Sequence, residues 1–146
     1  MSMRDYPVFD YGLVLTTNEF LDLLKTYNGT DIDLKEELNE IVENEDYGAI
    51  DDLVYGELSE FDRISSFDGE FKNLKENNEI NFNDDDVYVL GLAKFNIYNN
   101  SALYTSYNNE EEIYKEVKET LKRLGFDVTD DYIIKNTGKI WGTYFG

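Results

Sequence analysis

An excess of negative charge is the feature that most restricts what this chain can fold into. The sequence contains 32 Asp and Glu residues against 13 Lys and Arg, which gives a formal net charge of −19 at pH 7. A chain this acidic stays disordered unless it buries enough apolar surface to offset its self-repulsion. Aromatic residues make up 15% of the sequence, whereas acidic disordered chains are poor in them. We therefore expect a folded body that carries the charge on its surface.

The length of the chain predicts a single domain over residues 1–146. A chain of this size buries a sufficient core without metals or disulfides. The sequence contains no apolar run near the roughly 18 residues of a membrane span, and its start lacks the apolar stretch of a signal peptide. We expect a cytoplasmic protein, located in the host cytoplasm if a phage encodes it, with no membrane partner.

The composition also excludes several kinds of chemistry. The sequence contains no Cys and no His. Without Cys, disulfides, thiolate metal sites and cysteine nucleophiles are excluded. Without His, the commonest general base and the usual zinc ligand are missing. Glycine motifs for phosphate or dinucleotide binding do not occur in the sequence. We expect no enzyme, no catalytic residue and no cofactor.

Two acidic runs, Asp84–Asp86 and Asp130–Asp131, offer oxygen atoms of the kind that bind Ca²⁺ or Mg²⁺. Neither run has the glycine and distal glutamate of a calcium-binding loop, so we expect polar loops and no metal site. A hydrolase that works with a pair of carboxylates stays open as a hypothesis. Its mark would be a pocket with two converging buried acids.

The N-terminal segment predicts a strand and then a helix. Residues 6–16 are rich in β-branched and aromatic residues, as strands are. Thr16 and Glu19 have the spacing of a capping box, and apolar residues recur after them at helical spacing. We expect a helix of about ten residues that stops at Asn28-Gly29.

A second helix carries the first dense group of acids. Asp33 is its expected N-cap, and Leu34, Leu38 and Ile41 belong to its apolar stripe. The acids on its opposite face are spaced three and four residues apart: Glu36, Glu40 and Glu43. Gly48 is expected to mark the end of this helix.

Residues 50–107 predict a β meander. Residues 54–65 are interpreted as a strand, although the spacing of their apolar residues also suits a helix. Asp68-Gly69 has the composition of a type I′ hairpin turn. Residues 87–98 are apolar on both faces, as in a central strand, and Asn99-Asn100 turns the chain back into residues 102–107.

The C-terminal part predicts a helix and a hairpin. Asn108 or Asn109 is the expected cap of the helix, whose apolar residues Ile113, Val117 and Leu121 recur every four residues. The helix has acids in its first turn and Gly125 just after its end. Residues 136–138 read as the turn of a hairpin that closes the sheet. The whole pattern predicts an α+β fold with a mostly antiparallel sheet and about three helices.

The negative charge is concentrated in one part of the chain. Residues 31–86 contain 20 of the 32 acids but only four of the 13 bases. The last 15 residues contain two Lys and no acid. We expect a polarised molecule with one strongly negative side, which would steer and orient a basic partner.

The commonest strongly basic clefts, which would suit such a negative surface, are those of proteins that act on nucleic acids. Carboxylates about 5–6 Å apart along a helix imitate a row of phosphates if neighbouring acids add to them. Repulsion between like charges disfavours direct binding to a nucleic acid. The residues expected to bind such a protein partner are Asp33, Glu36, Glu37, Glu40, Glu43, Glu45, Asp46, Asp51, Asp52, Glu57 and Glu60.

In general character, small, acidic and without catalytic equipment, the chain resembles phage- and plasmid-borne inhibitors that imitate DNA. The resemblance implies a non-enzymatic inhibitor of the anti-restriction or anti-CRISPR type, with a nuclease as its partner. Three alternatives stay open: a bacterial immunity-type protein that caps a toxin nuclease, an adaptor that binds a basic partner, and a domain whose charge serves solubility alone. A homodimer that joins two acidic surfaces is a further hypothesis.

Overall fold

The computed structural model describes residues 5–76, 79–92 and 110–145. Within these ranges the chain forms six strands and five helices. The strands are β1 (Asp5–Thr16), β2 (Asp62–Ile64), β3 (Phe67–Asn73), β4 (Glu79–Asn81), β5 (Val87–Gly91) and β6 (Thr137–Phe145). The helices are α1 (Thr17–Leu24), α2 (Ile32–Asn44), α3 (Tyr47–Tyr55), α4 (Glu110–Leu124) and α5 (Asp130–Asn136). The predicted α+β class is confirmed. The predicted number of about three helices was too low, because the described residues form five.

The six strands form one sheet in the order β2-β5-β1-β6-β3-β4. Each of the strand pairs in the described residues is antiparallel, so the antiparallel prediction is confirmed. The long strand β1 lies near the centre and pairs with β5 through Leu13 and Leu90, and with β6 through Phe9 and Trp141.

The sheet buries apolar side chains on both faces, because successive residues of a strand point to opposite sides. Leu13 and Leu15 of β1 pack into the larger core, to which all five helices contribute. Val8 and Val14 point the other way, into a second cluster with Phe67 and other residues. The helices therefore form one layer over one face of the sheet.

The predicted capping box at the start of α1 is confirmed. The backbone N–H of Glu19 donates to Thr16 Oγ1 at 3.3 Å, and the Thr16 N–H donates to Glu19 Oε1 at 2.9 Å. The helix ends at Leu24, earlier than the predicted stop at Asn28-Gly29. Tyr27 instead forms an isolated β bridge with Phe126, which ties this turn to the chain beyond α4.

The interpretation of residues 54–65 as a strand was wrong. Asp46 caps α3, and Ile50, Leu53 and Val54 are its buried residues, at the spacing of a helix. Only the short strand β2 remains of the predicted one. Gly48 lies inside α3 and does not end α2, which finishes at Asn44.

The predicted hairpin turn at Asp68-Gly69 was also wrong. Both residues lie inside β3, where Asp68 pairs with Thr143 and Gly69 with Gly142. Glycine is needed there for a packing reason, since a Cβ on Gly69 would lie 2.1 Å from Cζ of the Phe67 ring.

The predicted hairpin around residues 136–138 is instead a junction between a helix and a strand. Thr129 caps α5, with its hydroxyl accepting a hydrogen bond from the Tyr132 N–H at 3.1 Å. Asn136 ends the helix, and Thr137 starts β6 at once. The β-branched residues Ile133 and Ile134 made this helix resemble a strand.

The predicted C-terminal amphipathic helix is confirmed as α4, which buries Ile113, Val117 and Leu121. The central strand predicted from residue 87 is present as β5 up to Gly91. Leu92 is already a bend, and the rest of the predicted strand lies outside the described residues. The Asn99-Asn100 turn, the strand over 102–107 and the cap at Asn108 or Asn109 lie outside them as well.

Candidate functional site

Helix α2 separates its apolar and acidic residues onto opposite sides, as predicted. Leu38 and Ile41 are buried. Asp31, not the predicted Asp33, caps the helix by accepting a hydrogen bond from the Leu34 N–H at 3.1 Å. The exposed carboxylates of the helix are Asp33, Glu36, Glu37, Glu40 and Glu43.

A tight link places α3 directly after this acidic helix. Glu45 adopts a left-handed backbone conformation with φ 50° and ends α2. Asp46 then caps α3, accepting a hydrogen bond from the Ala49 N–H at 3.2 Å. The predicted residues Asp51 and Asp52 follow on α3, and Glu57 lies in the turn after it. Two helices and a turn thus deliver carboxylates to the same part of the molecule.

The carboxylates of these elements are close enough to repel one another. Partial burial raises the pKa of Glu37, and repulsion from Glu57, Asp52, Asp31 and Glu40 raises it further. Glu57 and Asp52 come from the α3 segment, whereas the other two come from α2 and its cap. We call these five residues the acidic face: Asp31, Glu37, Glu40, Asp52 and Glu57.

Two of the predicted partner-binding acids are engaged within the molecule. Asp51 Oδ2 accepts a hydrogen bond from Arg63 Nη1 at 2.9 Å, and the same guanidinium donates to Asp86 at 2.8 Å. Glu60 Oε1 accepts from Arg123 Nη1 at 3.0 Å. Asp51 and Glu60 therefore border the acidic face as part of ion pairs that connect α3 and its following turn to the sheet and α4.

The remaining acids of residues 31–86 do not all join this face. Asp68 and Glu70 lie on β3 and Glu79 lies on β4, at the other end of the sheet from β2. Helix α3 contacts β2. Four strand spacings separate β2 from β3, a distance of about 19 Å. The charge-rich stretch of sequence is therefore divided between two regions of the surface.

Lysines occupy the sheet at a distance from the acidic face. Lys72 of β3 and Lys139 of β6 are directly paired across the two strands. Lys72 is also paired with Glu79 of β4, so positive and negative side chains are mixed in this part of the sheet. The molecule therefore differs in charge between its α2–α3 end and this part of the sheet.

The polar loop predicted at Asp84–Asp86 borders a cavity of about 390 Å³ together with Thr16 and Asn18. Asp86 of this loop is paired with Arg63. In residues 5–76, 79–92 and 110–145, no group of three or more acids is arranged to hold a metal ion. The second acidic run also has a partner, since Asp130 pairs with Lys118 of α4.

A second cavity, of about 490 Å³, lies between the turn after α3, β5 and α4. Its lining includes Glu60, Glu116 and Arg123, and the first of these is neutralised by the last. Among the helices of the described ranges, none has the length and apolar character needed to span a membrane.

Helix α3 also exposes two tyrosines that the sequence did not single out. Tyr55 is 84% exposed and Tyr47 is 51% exposed, both on α3. Their spacing from Asp51 is four residues on either side, which places the three on one ridge of the helix. The ridge that carries the two tyrosines can be predicted from the sequence only if residues 47–55 are recognised as a helix.

Comparison with known proteins gave no relative: no protein-family model, no curated protein and no solved structure matches this chain.

Proposed function

We propose that this protein is a non-enzymatic inhibitor that imitates the charge of a nucleic acid and occupies the basic groove of a protein that acts on DNA or RNA. The observation that supports the proposal is the crowding of carboxylates from α2, α3 and the turn after α3 around Glu37. Such crowding costs free energy in the isolated protein. A partner with a dense positive charge relieves that cost on binding, so the repulsion favours association with it.

The outward side of α2 supplies the first row of charges. Glu36, Glu40 and Glu43 are exposed on the side away from the buried Leu38 and Ile41. At 1.5 Å per residue these three carboxylates span about 10 Å of helix axis. Duplex DNA carries one charge per about 1.7 Å of axis, so a single helix is too sparse to imitate it.

The neighbouring elements raise the density toward that of a nucleic acid. Asp52 of α3 and Glu57 of the following turn lie close enough to Glu37 of α2 to repel it. A rigid arrangement of this kind saves part of the ordering cost that a flexible acidic tail would incur on binding. The groove of a nuclease or polymerase, lined with Lys and Arg, offers the complementary charge.

The proposal is tested by competition for duplex DNA. Labelled duplex DNA is first bound to each member of a panel of purified proteins. The panel contains a restriction endonuclease, an RNA-guided nuclease, a DNA polymerase and a toxin nuclease. Added inhibitor should displace the DNA from at least one member, with an affinity that falls as the NaCl concentration rises. Retention of DNA by every member at low salt contradicts the proposal.

The same experiment separates the alternatives. An immunity-type protein that caps the basic face of a toxin nuclease displaces duplex DNA from that member of the panel alone. A domain whose charge serves solubility alone binds no member of the panel at any salt concentration.

A further inference from the structure

The exposed tyrosines of α3 add a chemical preference to the acidic face. We propose that Tyr47 and Tyr55 make this face selective for arginine, so that its partner is an arginine-rich protein surface and not a lysine-rich one. This inference rests on the proposed function, because it specifies the chemistry of the basic groove that the acidic face enters.

Exposure of Tyr55 is the first observation behind this inference. In the part of the chain that the structure describes, Tyr55 is the most exposed large hydrophobic side chain, at 84%. A ring that leaves so much surface in water adds little to the stability of the fold. Exposed Tyr is among the residues that dominate binding energy in protein interfaces.

The placement of the rings among carboxylates decides which partner they fit. Tyr47, Asp51 and Tyr55 lie four residues apart along one ridge of α3, so the two tyrosines are separated by about 12 Å of helix axis. Asp52 lies one turn before Tyr55, and Glu57 follows it by two residues. An apolar protein pocket would leave these carboxylates without partners, whereas a cation satisfies both the rings and the acids.

Arginine fits this arrangement better than lysine. A guanidinium group is planar, stacks on an aromatic face and still donates hydrogen bonds to carboxylates at its edge. The ammonium group of lysine is a strongly hydrated point charge and gains less from the ring.

Carboxylates beside this face already bind guanidinium groups within the molecule. Both arginines of the described ranges, Arg63 and Arg123, are held by acids of α3 and its following turn. Arg63 reaches Asp51, the residue that lies between the two tyrosines on the ridge. Because Asp51 and Glu60 are already paired, a partner's arginine beside Tyr55 would use the exposed carboxylates Asp52 and Glu57.

The test compares oligoarginine and oligolysine peptides of equal length as probes, with affinities measured by calorimetry. The wild-type protein should bind oligoarginine more tightly. Tyr55→Ala should weaken oligoarginine binding by about fivefold and leave oligolysine binding nearly unchanged. Tyr55→Phe keeps the ring and should retain the preference, and Tyr47→Ala combined with Tyr55→Ala should reduce it further.

The charge control is Glu40→Gln, which should lower the affinity for both peptides by a similar factor. Unchanged affinities in both alanine variants would overturn the arginine preference and leave the proposed function standing. Equal weakening of both peptides by Tyr55→Ala would also overturn it. If neither peptide binds the wild-type protein at low salt, the proposed function itself fails. Thermal unfolding of each variant shows that the fold is intact.

Discussion

Asn73 connects three parts of the fold through its side-chain amide. Its Nδ2 donates hydrogen bonds to the carbonyls of Ile134 and Lys135 in α5, and its Oδ1 accepts from the N–H groups of Lys75 and Glu76. The residue is buried at the end of β3. Loss of this amide would remove all four hydrogen bonds at a buried site, which is costly.

Replacing Asn73 with Ala should therefore be costly. We expect the free energy of unfolding to fall by about 2 to 3 kcal/mol, measured by urea denaturation. Asn81→Ala on β4, where the side chain is exposed, is the matched control and should change stability by no more than about 0.5 kcal/mol. Equal effects of the two substitutions would show that the amide network adds nothing to stability.

Glu37 gives a pH dependence whose sign follows from its raised pKa. Burial and neighbouring carboxylates raise the pKa above its ordinary value of 4.5, so the folded protein holds this proton more tightly than the unfolded chain does. The stabilising contribution of Glu37 is therefore fully present below pH 4.5. It is lost as the pH rises from 4.5 through the raised pKa of the folded protein.

Glu37→Gln removes this penalty. The variant should have a higher urea midpoint than the wild type at pH 7, and the gain should disappear below pH 4.5. Glu119→Gln removes one exposed charge from α4, where Arg123 lies one turn later, and should give no such gain at pH 7. A gain for Glu37→Gln that is larger in acid than at neutral pH would contradict the placement of this carboxylate.

At the scale of elements, the strands β3 and β6 use glycines to seat aromatic rings. A Cβ on Gly142 would lie 2.8 Å from a ring carbon of Phe67, and one on Gly138 would lie 2.7 Å from a ring carbon of Phe71. The rings therefore lie close over the strand backbone, where larger residues do not fit. Gly69 serves the same purpose and marks no turn, which the sequence alone does not reveal.

Two glycine substitutions should have opposite effects for this reason. Gly69→Ala would place a Cβ 2.1 Å from Phe67 Cζ and 2.4 Å from the Trp141 carbonyl oxygen, and should destabilise the fold by about 2 kcal/mol or more. Gly48→Ala lies in α3, where the new Cβ meets only Asp46 Oδ1 at 3.6 Å. It should stabilise the fold by about 0.5 to 1 kcal/mol. Thermal unfolding measures both, and a loss of stability for Gly48→Ala would contradict the assignment of residues 47–55 to a helix.

Elements whose signals are local were predictable from the sequence. The capping box at Thr16 and the apolar period of α4 depend only on neighbouring residues, and both were predicted correctly. The segments 54–65 and 136–138 were not. Ile133 and Ile134 have strand propensity but lie in α5, and residues 56–60 form a turn although apolar residues recur around them, because tertiary packing overrides local preference. The cap of α2 was misplaced by two residues for a similar reason, since Asp31 and Asp33 are equally suitable caps.

At the scale of the whole molecule, the sequence predicted an acidic side but not its extent. The eleven residues expected to bind a partner lie on α2, α3 and the adjacent turns. Asp51 and Glu60 are engaged by arginines that are distant in sequence, so their pairing could not be read from the chain. The acids of β3 and β4 lie apart from the acidic face, because strand order and not sequence distance determines which end of the sheet they occupy.

Net charge should also make the stability of the protein depend on salt. With a formal charge of −19, self-repulsion destabilises the folded state at low ionic strength. Salt screens this repulsion, so the Tm should rise by about 5 °C between low salt and roughly 0.5 M NaCl. Differential scanning calorimetry gives the Tm, and a value that stays constant or falls would show that the carboxylates do not repel one another appreciably.

The placement of charge, as distinct from its amount, is the central claim, and two triple variants with the same net charge test it. One reverses Glu36, Glu40 and Glu43 of α2 to Lys. The other reverses three exposed acids that lie away from both α2 and the acidic face: Asp68, Glu79 and Asp127. The panel protein that the wild type displaces most effectively from duplex DNA serves as the partner. Its dissociation constant is measured for both variants and for the wild type. We predict that the α2 variant loses about tenfold or more in affinity and has a shallower salt dependence, whereas the control variant binds nearly as well as the wild type. An equal loss of affinity in the two variants would contradict the claim, because total charge alone would then account for binding.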